Sequence, residues 1–335
     1  MKSIFKVLPL LVAVSLTACD KEAFHEGTYF LFLFDTTITY KIKATKETEK
    51  ETIKILKNIE AISDSYNKRD IAGVYDLNQT NEKIQISEDL YDLLYWAKEV
   101  EKVAPLFNPL VGSLSNKWKQ SLANNEVLSQ EIIQTELAKI NSAELIIEET
   151  EQGMFAQRIG EAQIDLGAIA KGYALDKCQD YLGTNTSGDY IINAGSSSIL
   201  LGINSETKPN NFKGPNPYHH QYSVAVNELS NKPCFHSSRS IISTSGISEQ
   251  GVKIGDATYS HIINPVTGSA INNFDAVIVI NDYSYGRGAI GDALSTSLMM
   301  SSLEDIKKAE TEIGFEVVVI KDDNVLYKSA GLELR

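Results

Sequence analysis

The sequence predicts an α+β fold: one large domain of mixed sheets and helices. Two observations carry this. Helical and strand patterns cluster along the chain instead of alternating strictly, which disfavours a doubly wound parallel sheet. The 335 residues are 43% hydrophobic and 22% charged, an ordinary globular composition with length enough to bury a core. No internal repeat, low-complexity block or Pro/Gly/Ser-rich linker splits the chain after its first residues.

The first element is a leader. Lys2 and Lys6 precede the apolar run Val7–Leu16. At about ten residues this run is too short to cross a bilayer of about 30 Å as a helix, so residues 1–18 read as a signal peptide. Leu16-Thr17-Ala18-Cys19 resembles the lipobox of bacterial lipoproteins. That implies lipidation at Cys19, a polar leash over 19–27, and a domain over 28–335 held by its lipid on the outer side of the cytoplasmic membrane. No other stretch reaches 18 apolar residues.

Thr28–Ala44 alternates and is rich in β-branched and aromatic residues, predicting a strand kinked near Asp35. Lys46 to about Asp64 carries Ile55, Leu56, Ile59 and Ile62 at helical spacing. Ser87 is an N-cap for a helix through Leu90, Leu93, Leu94, Ala97 and Val100, and Ser129 caps another that runs to Ile140. Short β runs follow at Glu144–Glu148, Met154–Ile159 and Gln163–Leu166. A helix is expected over Ala168–Leu182, then strands at Tyr190–Ala194, Tyr222–Leu229, Ala276–Ile280 and Phe315–Ile320, with a helix over Gly288–Ser302. Lys208–Tyr218 reads as a surface loop.

Charge excludes one class of partner. Lys and Arg number 31 against 44 Asp and Glu, a net charge of −13. Without residues 1–18, which hold two lysines and no acid, the balance is 29 against 44, or −15. So acidic a surface does not wrap a phosphate backbone, and general nucleic-acid binding is not expected. Of the two remaining cysteines, Cys178 falls in an amphipathic helical pattern and is expected to be a buried free thiol. No CxxC or His/Cys cluster suggests zinc.

Two segments lead glycine-rich chain into a helix. Ile164–Ala174 (IDLGAIAKGYA) sends an Asp off a strand into a helix N-terminus whose free N–H groups favour anions, with Lys171 one turn in. It is neither a P-loop nor a GxGxxG fingerprint, and taken alone it equally suits a capped helix on a sheet. Gly288–Thr296 (GAIGDALST) sets Asp292 and Thr296 four apart, so a helix places a carboxylate and a hydroxyl on one face. Such hard oxygens suit Mg2+, but an Asp on the helix dipole explains them as well. Asn193-Ala194-Gly195, Ser243-Thr244-Ser245-Gly246 and Tyr259–Gly268, with His261 in a strand, complete the series.

In this order the segments DLGAIAKGYALD, NAG, STSG, YSHIINPVTG and GDALSTSL resemble the motifs of the ApbE family of extracytosolic FAD:protein FMN transferases. Looser matches precede them: Phe34-Asp35-Thr36-Thr37, Tyr66–Asn78 and Leu106–Gly112. The resemblance spans Thr28 to Ile320 and implies an ApbE, T-fold-like domain. There are departures. Phe34 and Asp35 replace Met and Gly, Asn108 and Asn264 replace Asp, Ser196–Ser198 replace the glycines and aspartate after NAG, and Ile247-Ser248-Glu249 replaces Asp-Tyr-Glu.

The resemblance implies Mg2+-dependent cleavage of the FAD pyrophosphate, transfer of FMN to a Thr or Ser hydroxyl of an extracytosolic acceptor protein, and release of AMP. By family position Asp292, Thr296 and the Ala168 carbonyl would hold Mg2+. Phe34, Tyr66, Phe107, Asn108, Pro109, Asp165, Lys171 and Ile263 would surround FAD, and His261 would act as a base near the reacting phosphate or hydroxyl. Two other activities remain open on the sequence: an FAD pyrophosphatase yielding FMN and AMP, and a non-catalytic FAD-binding lipoprotein.

Overall fold

The computed structural model describes residues 25–335 except 187–188, 196, 203–221, 238, 248–250, 271, 283 and 285. The expected leader, Cys19, most of the leash, all of the Lys208–Tyr218 loop, Ser196, Ser248 and Glu249 lie outside the described residues.

The chain enters through an antiparallel hairpin, β1 (His25–Leu33) and β2 (Thr36–Ala44), where one kinked strand was expected. Phe34 and Asp35 form its turn with φ of 54° and 56°. Positive φ at both central residues matches the twist of the flanking strands. The usual Asn-Gly signature is missing there, so the alternation reads straight through the turn. Next come α1 (Lys46–Ser63), α2 (Val74–Gln79), β3 (Ile84–Ile86), α3 (Glu88–Glu101), α4 (Gly112–Ala123) and α5 (Gln130–Ser142). Ser87 and Ser129 cap α3 and α5 as the sequence predicts, accepting from Leu90 N at 3.3 Å and Ile132 N at 3.4 Å.

β4 (Glu144–Thr150) and β5 (Gly153–Ile159) lead to α6 (Ala170–Asn185). There follow β6 (Tyr190–Ala194), β7 (Ser198–Gly202), β8 (Tyr222–Ala225), β9 (Cys234–Ser237), β10 (Ser240–Gly246), β11 (Val252–Ile254), β12 (Ala257–Tyr259) and β13 (Ala276–Asp282). The chain then forms α7 (Arg287–Leu298), α8 (Leu303–Ala309), β14 (Glu316–Lys321) and β15 (Asn324–Lys328).

Eight strands make one antiparallel sheet in the order β1-β2-β6-β7-β10-β13-β14-β15. β3-β5-β4, β8-β9 and β11-β12 form smaller sheets. The central strands of the large sheet are buried on both faces. On β13, Val277 and Val279 join the main core with α6 and α7, while Ala276, Ile278 and Ile280 face a second core beneath β8 and β9. This explains a continuous apolar run in an antiparallel strand, where one-sided burial would give alternation. Cys178 is buried in the main core and Cys234 lies on β9; both are free thiols.

Several expectations need correction. Gln163–Leu166 is not a strand: its backbone bonds to α2 and to the turn leading into α4, with Asn78 Nδ2 donating to Ile164 O at 2.9 Å and Ile164 N to Asn78 Oδ1 at 2.7 Å. Asp165 N donates to Pro109 O and Gly112 N to Gln163 O, both at 2.8 Å. The strand expected over Tyr222–Leu229 ends at Ala225. The helix expected to Ser302 ends at Leu298, and Ser302 instead caps α8 by accepting from Asp305 N at 3.1 Å. Among the described residues, no helix is long and apolar enough to cross a membrane.

Candidate active site

The site grows from a crossing of two helices. α6 and α7 meet at Gly172 and Gly288 so closely that a Cβ on Gly172 would lie 2.0 Å from Gly288 O. Each helix then serves the other's first turn. Asp292 of α7 accepts from Gly172 N at 2.6 Å, and Asp176 of α6 accepts from Gly288 N at 2.8 Å and Ala289 N at 2.9 Å. The free N–H groups expected at the start of α6 are therefore largely engaged, since Ala170 N also donates to Leu166 O at 2.9 Å.

Asp292 is 6% exposed. Its Oδ1 accepts from Ser198 Oγ at 2.8 Å and Ser243 Oγ at 2.7 Å, which ties α7 to β7 and β10. Burial pushes its carboxyl above the usual range, against the opposing pull of the Lys171 charge and these hydrogen bonds. One turn on, Thr296 Oγ1 lies 3.1 Å from Asp292 O, to which it donates, and 3.0 Å from Ser245 Oγ. Asp176 is raised to about 8, chiefly by burial, with its two N–H bonds opposing and Asp292 and Asp92 adding to the rise.

Asp292 and Thr296 open onto a cavity of about 650 Å³ together with Ala168, Lys171 and His261. Phe34, Tyr66, Phe107, Asn108, Asp165 and Ile263 line it too, whereas Pro109, expected beside them, does not. Local bonds set these side chains. Phe34 is placed by the hairpin turn, and Tyr66 by Asp64, whose Oδ1 accepts from Tyr66 N at 2.8 Å. Asp165 Oδ1 accepts from Gly167 N at 2.8 Å. His261 follows β12 instead of lying within a strand. Its ring opens to the cavity but is packed round by protein, and that desolvation, with the Lys171 charge, lowers its pKa.

Two departures from the family pattern have a simple physical reading. Asn108 Oδ1 accepts from Leu110 N at 2.8 Å, and Asn264 Oδ1 accepts from Val266 N at 2.9 Å and Thr267 N at 3.0 Å. Each amide oxygen closes an Asx-type turn, the task an Asp oxygen performs equally well.

The residues present fit a hard divalent cation. Asp292 has two oxygens with about four lone-pair sites, and three protein donors leave room for one more partner. A buried carboxylate with a hydroxyl one turn on, facing a cavity that Ala168 also lines, offers oxygen ligands of the kind Mg2+ takes. Among the described residues, no group of three or more His, Cys, Asp or Glu is placed to hold a metal.

Sequence reading gave no role to Ser198, Ser243, Ser245 or Asp176. The serines sit in segments already marked by composition, but their bonds to α7 come from tertiary packing. Asp176 did carry a signal: Gly172 and Asp176 repeat the spacing of Gly288 and Asp292.

Comparison with known proteins gives a consistent result. The model of the ApbE family matches residues 34–319. A Klebsiella pneumoniae (strain 342) protein named FAD:protein FMN transferase is 28% identical over 235 residues, 69% of each chain. The crystal structure of the ApbE protein of Thermotoga maritima superposes with a TM-score of 0.74 at 21% identity, covering 91% of this chain and 97% of that one. The flavin transferase ApbE of Vibrio cholerae gives 0.68 at 25% identity, covering 92% and 98%. The α+β fold is the one these structures share.

Proposed function

The chain belongs to the ApbE family, and from that premise we propose that it is a transferase that moves FMN from FAD to a Thr or Ser hydroxyl of an extracytosolic acceptor protein, with Mg2+ required and AMP released. The observation that carries this reading is the convergence of Asp292, Thr296, Ala168, Lys171 and His261 on one cavity whose remaining wall holds Phe34, Tyr66, Phe107 and Ile263. The aromatic and apolar side chains suit a flavin ring, and the polar cluster suits a pyrophosphate.

In this reading Asp292, Thr296 and the Ala168 carbonyl hold Mg2+, which when bound draws charge from phosphorus and steadies the leaving AMP. Lys171 adds positive charge beside the pyrophosphate and partly balances Asp292. His261, with its pKa lowered, is neutral at pH 7 and free to accept a proton. The acceptor oxygen bonds to the FMN phosphorus as its hydroxyl proton passes to the imidazole. The bond from that phosphorus to the bridging oxygen breaks, and AMP leaves with that oxygen.

The test is incubation of the full protein with FAD, Mg2+ and a candidate acceptor domain, followed by intact mass and AMP detection. The expected result is a flavinylated acceptor with AMP in equal amount. AMP with free FMN and an unmodified acceptor would favour a pyrophosphatase; absence of AMP would favour a flavin-binding lipoprotein.

Lipidation at Cys19 belongs to the same reading and is supported by the sequence around it. Cys19→Ala is expected to release the domain from the membrane or leave an unprocessed precursor, read by fractionation and mass. Normal processing with unchanged membrane retention would refute the anchor.

A further inference from the structure

Asp176 lies in α6, one turn beyond Gly172, and is 1% exposed. Both of its oxygens are spent on the first turn of α7, accepting from Gly288 N at 2.8 Å and Ala289 N at 2.9 Å. That turn has no side-chain cap of its own: the preceding residue is Gly286, left-handed at φ 82°. The cap that local sequence does not supply therefore comes from another helix. The contact is reciprocal, because Asp292 takes the N–H of Gly172 at 2.6 Å. A Cβ on Gly288 would lie 2.4 Å from Gly172 O and 2.9 Å from Asp176 Oδ1, so the two backbones and the two aspartate side chains fill the crossing.

This crossing joins the two halves of the oxygen set. Ala168 stands just before α6, while Asp292 and Thr296 stand on α7. Rotation or sliding of α7 against α6 would move the Asp292 and Thr296 oxygens away from the Ala168 carbonyl. Asp176 does not line the cavity and so does not touch what binds there. We propose that Asp176 is a positioning residue for the metal site, its two side-chain oxygens clamping the first turn of α7 and thereby registering Asp292 and Thr296 against Ala168. The proposal rests on the reading that these three groups hold Mg2+.

Asp176→Asn keeps the shape but offers one acceptor oxygen and turns an NH2 group toward the second N–H. The experiment measures Mn2+ binding to the full protein by EPR, without turnover, alongside FMN affinity by flavin fluorescence and a thermal melt. Wild type is expected to bind Mn2+ and Asp292→Ala to fail, which tests the metal reading by itself. Asp176→Asn, still folded, is expected to weaken Mn2+ binding about 10- to 100-fold, the range typical when support behind a ligand is lost, with FMN affinity unchanged. A lowered melting temperature with wild-type Mn2+ affinity would overturn the proposal and leave the metal reading standing. If wild type itself shows no Mn2+ binding, or Asp292→Ala binds as wild type does, both fall. A second measurement needs no variant at Asp176. Hydrogen exchange at Gly288 and Ala289 in wild type is expected to slow when Mn2+ binds, and unchanged exchange would also overturn the proposal.

Discussion

Asp292→Ala is expected to slow AMP release on the order of a thousandfold. Metal-assisted stabilisation of charge on a transferring phosphate contributes several kcal/mol, and each 1.36 kcal/mol is tenfold in rate. Asp292 is the one carboxylate among the groups assigned to the cation. Its replacement also leaves the buried Gly172 N–H without its acceptor, which costs about 1–3 kcal/mol. A domain with stability of about 5–15 kcal/mol survives that. The variant should therefore be folded by circular dichroism while inactive across a Mg2+ titration. Thr296→Ala should be milder, because water can replace a neutral hydroxyl in a Mg2+ shell. Full Mg2+-dependent turnover by Asp292→Ala would show the metal site to be misassigned.

The second large effect is on folding. In Gly172→Ala the added Cβ meets Gly288 O at 2.0 Å and Asp292 Cγ at 2.9 Å. Backbone, not a flexible side-chain end, must give way, and such overpacking costs typically about 1–3 kcal/mol and occasionally more. A melting temperature lower by several degrees is expected. Gly183→Ala provides the control within the same helix, since its Cβ would meet nothing within 4 Å. There the substitution should stabilise by about 0.4–1 kcal/mol, because alanine restricts the unfolded chain more than glycine does. Equal melting temperatures for Gly172→Ala and Gly183→Ala would contradict the close helix crossing.

What could be read in advance was what the chain decides locally. α3 and α5 begin with Ser87 and Ser129, whose caps are set by the next three residues. α4 begins after Val111 with no side-chain cap bond, so no local start signal marks it. Gln163–Leu166 has a strand's composition, but Asn78 and the Pro109–Gly112 turn satisfy its backbone instead of a neighbouring strand. The hairpin at Phe34–Asp35 was hidden because its turn residues are not those that favour positive φ.

The cavity residues came from the order of the motifs, which preserves what a family requires even where local rules are silent. Seen singly, Asp292 could equally have been a dipole partner. The serines around it were unreadable for a different reason. Ser198 and Ser243 belong to β7 and β10, and only sheet register brings both to one carboxylate oxygen.

The joining of α6 to α7 by exchanged carboxylates also dictates an order of assembly. Ala168 precedes the central strands β6 to β13, and Asp292 follows them. Contacts this distant in sequence form late, after the loop between them has closed. A chain that has emerged only as far as β13 holds Lys171 and His261 but no Asp292, and α6 still lacks the acceptor for its Gly172 amide. Helix register and the pairing of Asp292 with Gly172 are thus completed in one event, so a half-folded chain presents an incomplete cavity.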